Sequence, residues 1–340
     1  MKKLKVSGTL SVPWKIVLLI APVVVGIFAL GMGRISIPAG DVLTSLFAKL
    51  NGGEGIAATN EIVLWKIRLP RIILAALAGA GLSVAGCAFQ SLFSNPLATP
   101  DTLGVAAGSS FGAALGILLG ANLIGIQLTS LFFGALAVTL TWLAGSGKGK
   151  GLSTVVLSGI MIGSLFSSLV SLVKFCADTE SELPAITYWL MGSLDSAGYE
   201  QLALGSPMII VGILILYLLR WRLNILPLGD DEARASGTNL NVLRGVTIVC
   251  ATAMTASCVS MCGQVGWVGL LVPHMCRMKF GNNHLSLIPA SISVGAVFMI
   301  VVDTLARTIS ASEIPVSILT AIIGAPFFII LMRKSGGWSL

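Results

Sequence analysis

The sequence predicts an all-α, polytopic membrane protein with about ten transmembrane helices, on three observations. Hydrophobic residues make up 55% of the 340-residue chain and charged residues only 10%, whereas an ordinary soluble domain carries about 25% charge. Mean hydropathy is +0.95. Apolar runs of the roughly 20 residues that a helix needs to cross about 30 Å of hydrocarbon recur from end to end. In order, the expected spans are 14–33, 71–93, 103–121, 125–145, 152–175, 201–219, 243–262, 264–280, 285–308 and 314–332. The eighth holds Pro273 and is the shortest. Residues 1–340 read as one transmembrane domain.

The first span is expected to be retained. Lys2, Lys3 and Lys5 are positive, but the apolar run starts about ten residues later, outlasts the ~7–15 residues of an export signal and lacks a small-residue cleavage site. The second span opens at Arg68 and Arg71 and runs into Asn95-Pro96-Leu97-Ala98-Thr99-Pro100-Asp101, after which a third, small-residue-rich span follows at once. Lipid tolerates such a break only where protein or water covers it, so the block predicts a packed bundle around a pathway. Gly79, Gly81, Gly86, Gly108 and Gly112 fit close helix approach.

Ten spans with a cytoplasmic N-terminus place two-thirds of the 21 lysines and arginines inside. That satisfies the positive-inside rule and puts both termini in the cytoplasm. The net charge of +7 then reflects topology, and nucleic acid is not expected as a partner.

Catalytic and metal readings are weak. Five of the six cysteines lie in apolar runs, where cysteine behaves as a small hydrophobe. Met254, Cys258, Met261 and Cys262 share one helix side, which suits either a soft copper site or ordinary packing; packing is the preferred reading, and no metal ligand set is assigned. Gly145–Gly151 has glycines and lysines but not the spacing of a phosphate-binding loop. The two histidines, His274 and His284, stand near no paired carboxylates. An enzyme is not expected, nor a bound cofactor.

Four blocks carry a resemblance. Residues 68–108, RLPRIILAALAGAGLSVAGCAFQSLFSNPLATPDTLGVAAG, are followed by YWLMGSL at 188–194 and GQVGWVGLLVPHMCRMKFG at 263–281. The fourth is DTLAR at 303–307 with EIPVSILTAIIGAPFF at 313–328. Together they resemble the FecCD-type permeases, the membrane subunits of ATP-binding-cassette (ABC) importers for iron chelates, haem and cobalamin. The chain departs from that pattern at Ser236, Trp267, Asn283, Leu285 and Ser317; Asn283 and Leu285 remove two charges from an inner loop.

The resemblance implies partners and roles. Two ATPase subunits, which use ATP and Mg, would bind below, and an extracytoplasmic binding protein above. A second copy of the chain or a close paralogue would complete the pore in the bacterial inner membrane, among its lipids. The coupling segment, about 226–242, would hold Leu228, Gly229, Asp230, Asp231, Glu232, Ala233, Arg234 and Gly237. Its leading acids and trailing Arg234 suit a short helix with a glycine stop; a solvated loop helix is the plain alternative. Arg68, Arg71 and Arg307 would dock carboxylates of the binding protein; the alternatives are interfacial anchoring and, for Arg307, pairing with Asp303. Asn95, Pro96, Asp101, Gly104 and Gly108 mark the break or gate, with Asp101 expected to cap the third span. The expected cargo is a metal chelate, foremost a ferric siderophore, with haem, cobalamin or an oxyanion behind it. An ion-gradient-driven secondary transporter is the competing class; it usually needs mid-membrane acids, and here acids fall mostly at helix ends and in loops.

Overall fold

In the computed structural model, residues 9–51, 56–145, 147, 152–228, 230–310 and 312–334 are described, and every regular element among them is helical. In chain order these are α1 (Val12–Gly31), α2 (Ala39–Asn51), α3 (Ala58–Ile62), a π-helical stretch (Val63–Arg68) and α4 (Leu69–Leu92). A 3₁₀ turn (Pro100–Leu103) leads to α5 (Val105–Leu118), α6 (Leu123–Gly145), α7 (Leu152–Cys176), α8 (Glu182–Leu190) and α9 (Tyr199–Leu218). A second 3₁₀ turn (Arg222–Ile225) precedes α10 (Asp230–Ala235), α11 (Leu240–Cys262), α12 (Val268–Phe280), α13 (His284–Ile309) and α14 (Val316–Lys334). Each of the ten expected spans finds a helix. Lys2, Lys3, Lys5, Lys148, Lys150 and most of the 145–151 turn lie outside the described residues.

Two differences from the expected spans stand out. The second span begins at Ala58 rather than at residue 71, because Val63, Leu64, Trp65 and Ile67 extend the apolar pattern through Lys66 and Arg68. Pro70 lacks an N–H, and the π-helical stretch just before it lets the rod continue through α3 into α4. Helices α2 and α8, of 13 and 9 residues, are additional to the ten expected spans; α2 is pinned by Trp65 Nε1 donating to Ser45 Oγ at 2.9 Å.

Helix α4 is the axis of the bundle, packed by α13, α11, α12 and α9. In its most apolar window 83% of residues are buried, against 17% for α1, which faces outward with Leu19, Val23 and Phe28 exposed. Glycine makes these approaches possible: a Cβ on Gly79 would strike the Gly295 carbonyl, and one on Gly86 the Gly269 carbonyl. Small residues at crossings let backbones touch where lipid offers no hydrophobic drive.

Helices α5 and α12, with 14 and 13 residues, cover only about 20 Å each, less than the bilayer core. Both start inside the bundle. Gly269, at the head of α12, meets α4 at Gly86, far along its length, and Gly104, before α5, rests on Gly159 and Gly163 of α7. Parts of the two breaks, Ala98, Pro100, Leu103 and Gly104 in the first and Gly263 and Val265 in the second, are buried in the bundle, while Asn95, Asp101 and Gln264 are exposed; such backbone is tolerated where protein or water covers it.

Candidate functional site

The two breaks meet. Gln264 Nε2 donates to Ser110 Oγ at 2.7 Å, tying the segment before α12 to α5. Between them opens a cavity of about 380 Å³ lined by Asp101, Gly104, Gly163, Thr255, Gln264 and Gly266, among others. Thr141 Oγ1 donates to the Leu103 carbonyl at 3.0 Å, so α6 satisfies one of the backbone acceptors that the break leaves open. Gly104 takes a left-handed φ of +77°, the conformation glycine adopts without penalty, and serves as N-cap of α5.

The expected pathway residues separate here. Asp101 and Gly104 line the cavity. Asp101 does not cap α5: no side-chain cap bond is made, and its carbonyl instead accepts the Gly104 N–H at 2.9 Å. The intervening 3₁₀ turn carries its carboxyl away from the helix start. Asn95 is exposed and accepts the Leu97 N–H at 2.9 Å, a local turn bond two residues before Leu97 that leaves Pro96 in the bend. Gly108 lies at the α5–α6 crossing, against Phe133 and Ala137.

The three expected docking arginines gather at one end of the bundle but point inward, with 5–6% exposure. Arg71 Nε donates to Asp303 Oδ1 at 2.7 Å, and its Nη1 sits 2.7 Å from Glu313 Oε2. Arg307 Nε lies 3.5 Å from Asp303 Oδ2, and its Nη2 donates to the Ala29 carbonyl at 2.5 Å. Arg68 donates to the Leu30 carbonyl at 2.6 Å and to that of Ile35. Buried charge is costly unless paired and hydrogen-bonded: Arg71 and Arg307 are ion-paired here, Arg68 is held by backbone carbonyls, and Glu313 is the more exposed of the two acids. Glu313 opens the block at 313–328 but was given no site role; a lone loop acid gives no sign of a partner more than 200 residues away.

At the opposite end, α10 carries the expected coupling segment. Ala233 is fully buried against Ile225 and Leu240, so α10 is clamped to the turn after α9 and to the start of α11. Leu228 is 45% exposed and Glu232 is exposed. Gly237 ends the segment at φ +73°, the left-handed stop of a helix C-terminus. Gly229 and the side chains of Asp230, Asp231 and Arg234 lie outside the described residues. Nearby, Ser91 Oγ and His284 Nε2 are 2.5 Å apart, and Asn224 Oδ1 accepts the His284 N–H at 2.9 Å. Asn283, where the expected pattern has an acid, still caps α13 through the Leu285 N–H at 3.0 Å and accepts from Asn224. This polar knot was missed because its members lie in three separate stretches of sequence.

Among the described residues no group of three or more histidine, cysteine or acidic side chains could hold a metal ion. Met254, Cys258, Met261 and Cys262 are core residues; Cys262 Sγ donates to the Cys258 carbonyl at 2.8 Å.

A helical membrane bundle whose two helix breaks face one cavity is the build of a membrane transport protein. The chain belongs to the FecCD transport family, whose profile matches residues 19–334. It is 40% identical over 313 residues to the molybdate import system permease protein MolB of Haemophilus influenzae, covering 92% of this chain and 93% of that one. It is 36% identical to the Fe(3+)-citrate import system permease protein YfmE of Bacillus subtilis, covering 94% of each. It also superposes, with a TM-score of 0.85 and 38% identity, on an inward-facing conformation of a proposed metal-chelate type ABC transporter, covering 95% of this chain and 99% of that one. The protein is therefore a multi-pass permease subunit of the bacterial ABC-importer family, not an enzyme. A permease of this class implies ATPase and binding-protein partners.

Proposed function

We propose that the chain carries a metal chelate, foremost a ferric siderophore, across the bacterial inner membrane, with its termini in the cytoplasm. Two copies, or one copy and a paralogue, would enclose the pathway, with two ATPase subunits on the α10 face and a binding protein at the Arg71 end. The observation that carries this reading is the cavity between the two breaks. Its walls include the carboxylate of Asp101 and, among the described lining residues, no basic side chain. Such a wall repels a free oxyanion and accepts the outer shell of a neutral or cationic chelate. The 40% identity to MolB favours a second reading, an oxyanion such as molybdate.

In this reading the inward-turned arginines act on docking indirectly. They fix the ends of α4 and α13, and the Glu313 loop they hold forms the rim on which the binding protein sits. Ala233 supports coupling, since a push on α10 passes through its packing to α11. The test is reconstitution into vesicles with the ATPase and binding protein, followed by uptake of labelled ferric siderophore or labelled molybdate. ATP-dependent accumulation of the chelate is expected. Accumulation of molybdate alone would transfer the assignment to the second reading, and accumulation by the lone chain would overturn the ABC mechanism.

A further inference from the structure

A second cleft, of about 680 Å³, opens between α1, α4, α9 and α13 and shares no lining residue with the cavity at the breaks. Its walls are apolar, built from residues such as Leu18, Leu77, Pro289 and Ile292. Its mouth holds two cations, Lys15 in the first turn of α1 and Arg220 just after α9. Leu285, in the first turn of α13, lies at the same end, and Ala296, eleven positions on, also lines the cleft. At 1.5 Å per residue the cleft is about 16 Å deep, close to one leaflet's half of the ~30 Å hydrocarbon core.

Arg220 is held in place. Its Nη1 donates to the Tyr217 carbonyl at 2.6 Å, and the guanidinium stacks 4.0 Å from the Tyr217 ring. A guanidinium has five donors, so others remain for a ligand. Among the described residues neither Lys15 nor Arg220 joins an ion pair. Beside them Trp14 packs edge-on against Phe280 and takes Lys279 Nζ at 5.2 Å over its ring. Tryptophan beside lysine is the signature of the headgroup level. An apolar slot one leaflet deep, opening on unpaired cations at that level, complements an acyl chain joined to an anionic head.

We propose that this cleft is a binding site for an anionic phospholipid, with the acyl chain between α1, α9 and α13 and the phosphate on Lys15 and Arg220. Basic pockets between membrane helices bind such headgroups, and each cation near the surface adds about fivefold in affinity. The cleft is distinct from the cavity at the breaks, and its assignment does not depend on the cargo or on the ABC reading.

The test uses the full-length protein in its assembled complex, delipidated in detergent and incubated with equal amounts of phosphatidylglycerol and phosphatidylcholine of the same chains. Lipid retained per chain is counted by native mass spectrometry. Phosphatidylglycerol should be retained in preference. Lys15→Gln with Arg220→Gln should cut that preference by roughly 25-fold, while Lys15→Arg with Arg220→Lys keeps it. Ala76→Trp, which fills the cleft wall, should expel both lipids. Equal retention of the two lipids by the unaltered protein would overturn the proposal, as would a preference that survives the double glutamine variant. So would retention of both lipids that rises when residues 1–10 are deleted, because the chain's own N-terminus would then be the occupant.

Discussion

Arg71 Nε stands 2.7 Å from Asp303 Oδ1, joining α4 to α13 across 232 positions of sequence. Asp303 is fully buried and is shared with Arg307 at 3.5 Å, while Glu313 takes the other face of Arg71. Two of the three inward-turned cations, Arg71 and Arg307, are paired with the two carboxylates, and the third, Arg68, rests on backbone carbonyls.

Replacing Asp303 with asparagine keeps the shape and removes the charge. It leaves Arg71 and Arg307 with Glu313 as their nearest acid, and a broken buried pair costs about 3–5 kcal/mol. Asp303→Asn should lower the temperature at which the detergent-solubilised protein loses its monodisperse peak. Glu313→Gln should lower it far less, because its side chain is 27% exposed and partly exposed pairs contribute about 1 kcal/mol or less. Equal losses would show that burial does not govern this cluster.

Gly86→Val is expected to abolish the folded protein, because the Cβ would meet the Gly269 backbone, which cannot swing aside as a side chain can. Gly245→Ala, in α11 where nothing lies within 4 Å of the added carbon, should be neutral or stabilise by about 0.5–1 kcal/mol through helix propensity. Yield and thermal stability of the two variants, measured side by side, check both statements.

The ten spans were legible because hydrophobic length is a one-dimensional property, and the break at 95–101 because proline and asparagine punctuate it. What the breaks touch was not legible. That Gln264 would reach Ser110, or Arg71 reach Asp303 and Glu313, depends on how distant helices cross, and apolar periodicity carries little information on crossings inside a bundle. The pairing of Arg307 with Asp303 was legible, because the two stand one turn apart on the same helix; the docking role given to Arg68, Arg71 and Arg307 came from the resemblance, and their inward turn follows from partners supplied by α1, α13 and the 313 loop. Trp267 stood out in the sequence as a departure from the expected pattern, but its backbone conformation did not. It holds a φ of +70° at the head of α12 and packs on Gly324, a conformation that costs a bulky residue about 1–3 kcal/mol.

The loop between α7 and α8 should respond to acid. The Asp178 carboxylate accepts from the Ser181 hydroxyl at 2.7 Å and from the Ser181 and Glu180 N–H groups at 2.9 and 3.1 Å. The Ser181 bonds chiefly hold its carboxyl below the usual range. A depressed carboxyl favours the folded loop above its ordinary pKa of about 3.9, and that contribution is lost as pH falls through the lowered value. Amide exchange at Glu180 and Ser181, corrected for intrinsic rate, should stay protected at neutral pH and open at strongly acidic pH. Asp178→Ala should remove the protection at every pH; a variant as protected as the parent would show that the backbone alone holds the turn.

Leu228 offers the sharpest test of coupling. It is 45% exposed, on the approach to α10, so replacing it removes little internal packing and stability should stay within about 0.5 kcal/mol. If the ATPase seats on this face, Leu228→Asp places a charge in an apolar contact, and a central contact of that kind is worth about 2 kcal/mol, or some thirtyfold in affinity. Co-purification of the ATPase and uptake should both fall while the melting profile of the isolated permease stays the same. Ala233→Leu separates the two roles of α10. The larger side chain has no room between Ile225 and Leu240, so it should disturb α10 itself and lower stability by about 1–3 kcal/mol. Transport that survives Leu228→Asp with the ATPase still bound would mean that the ATPase grips another part of this end of the bundle.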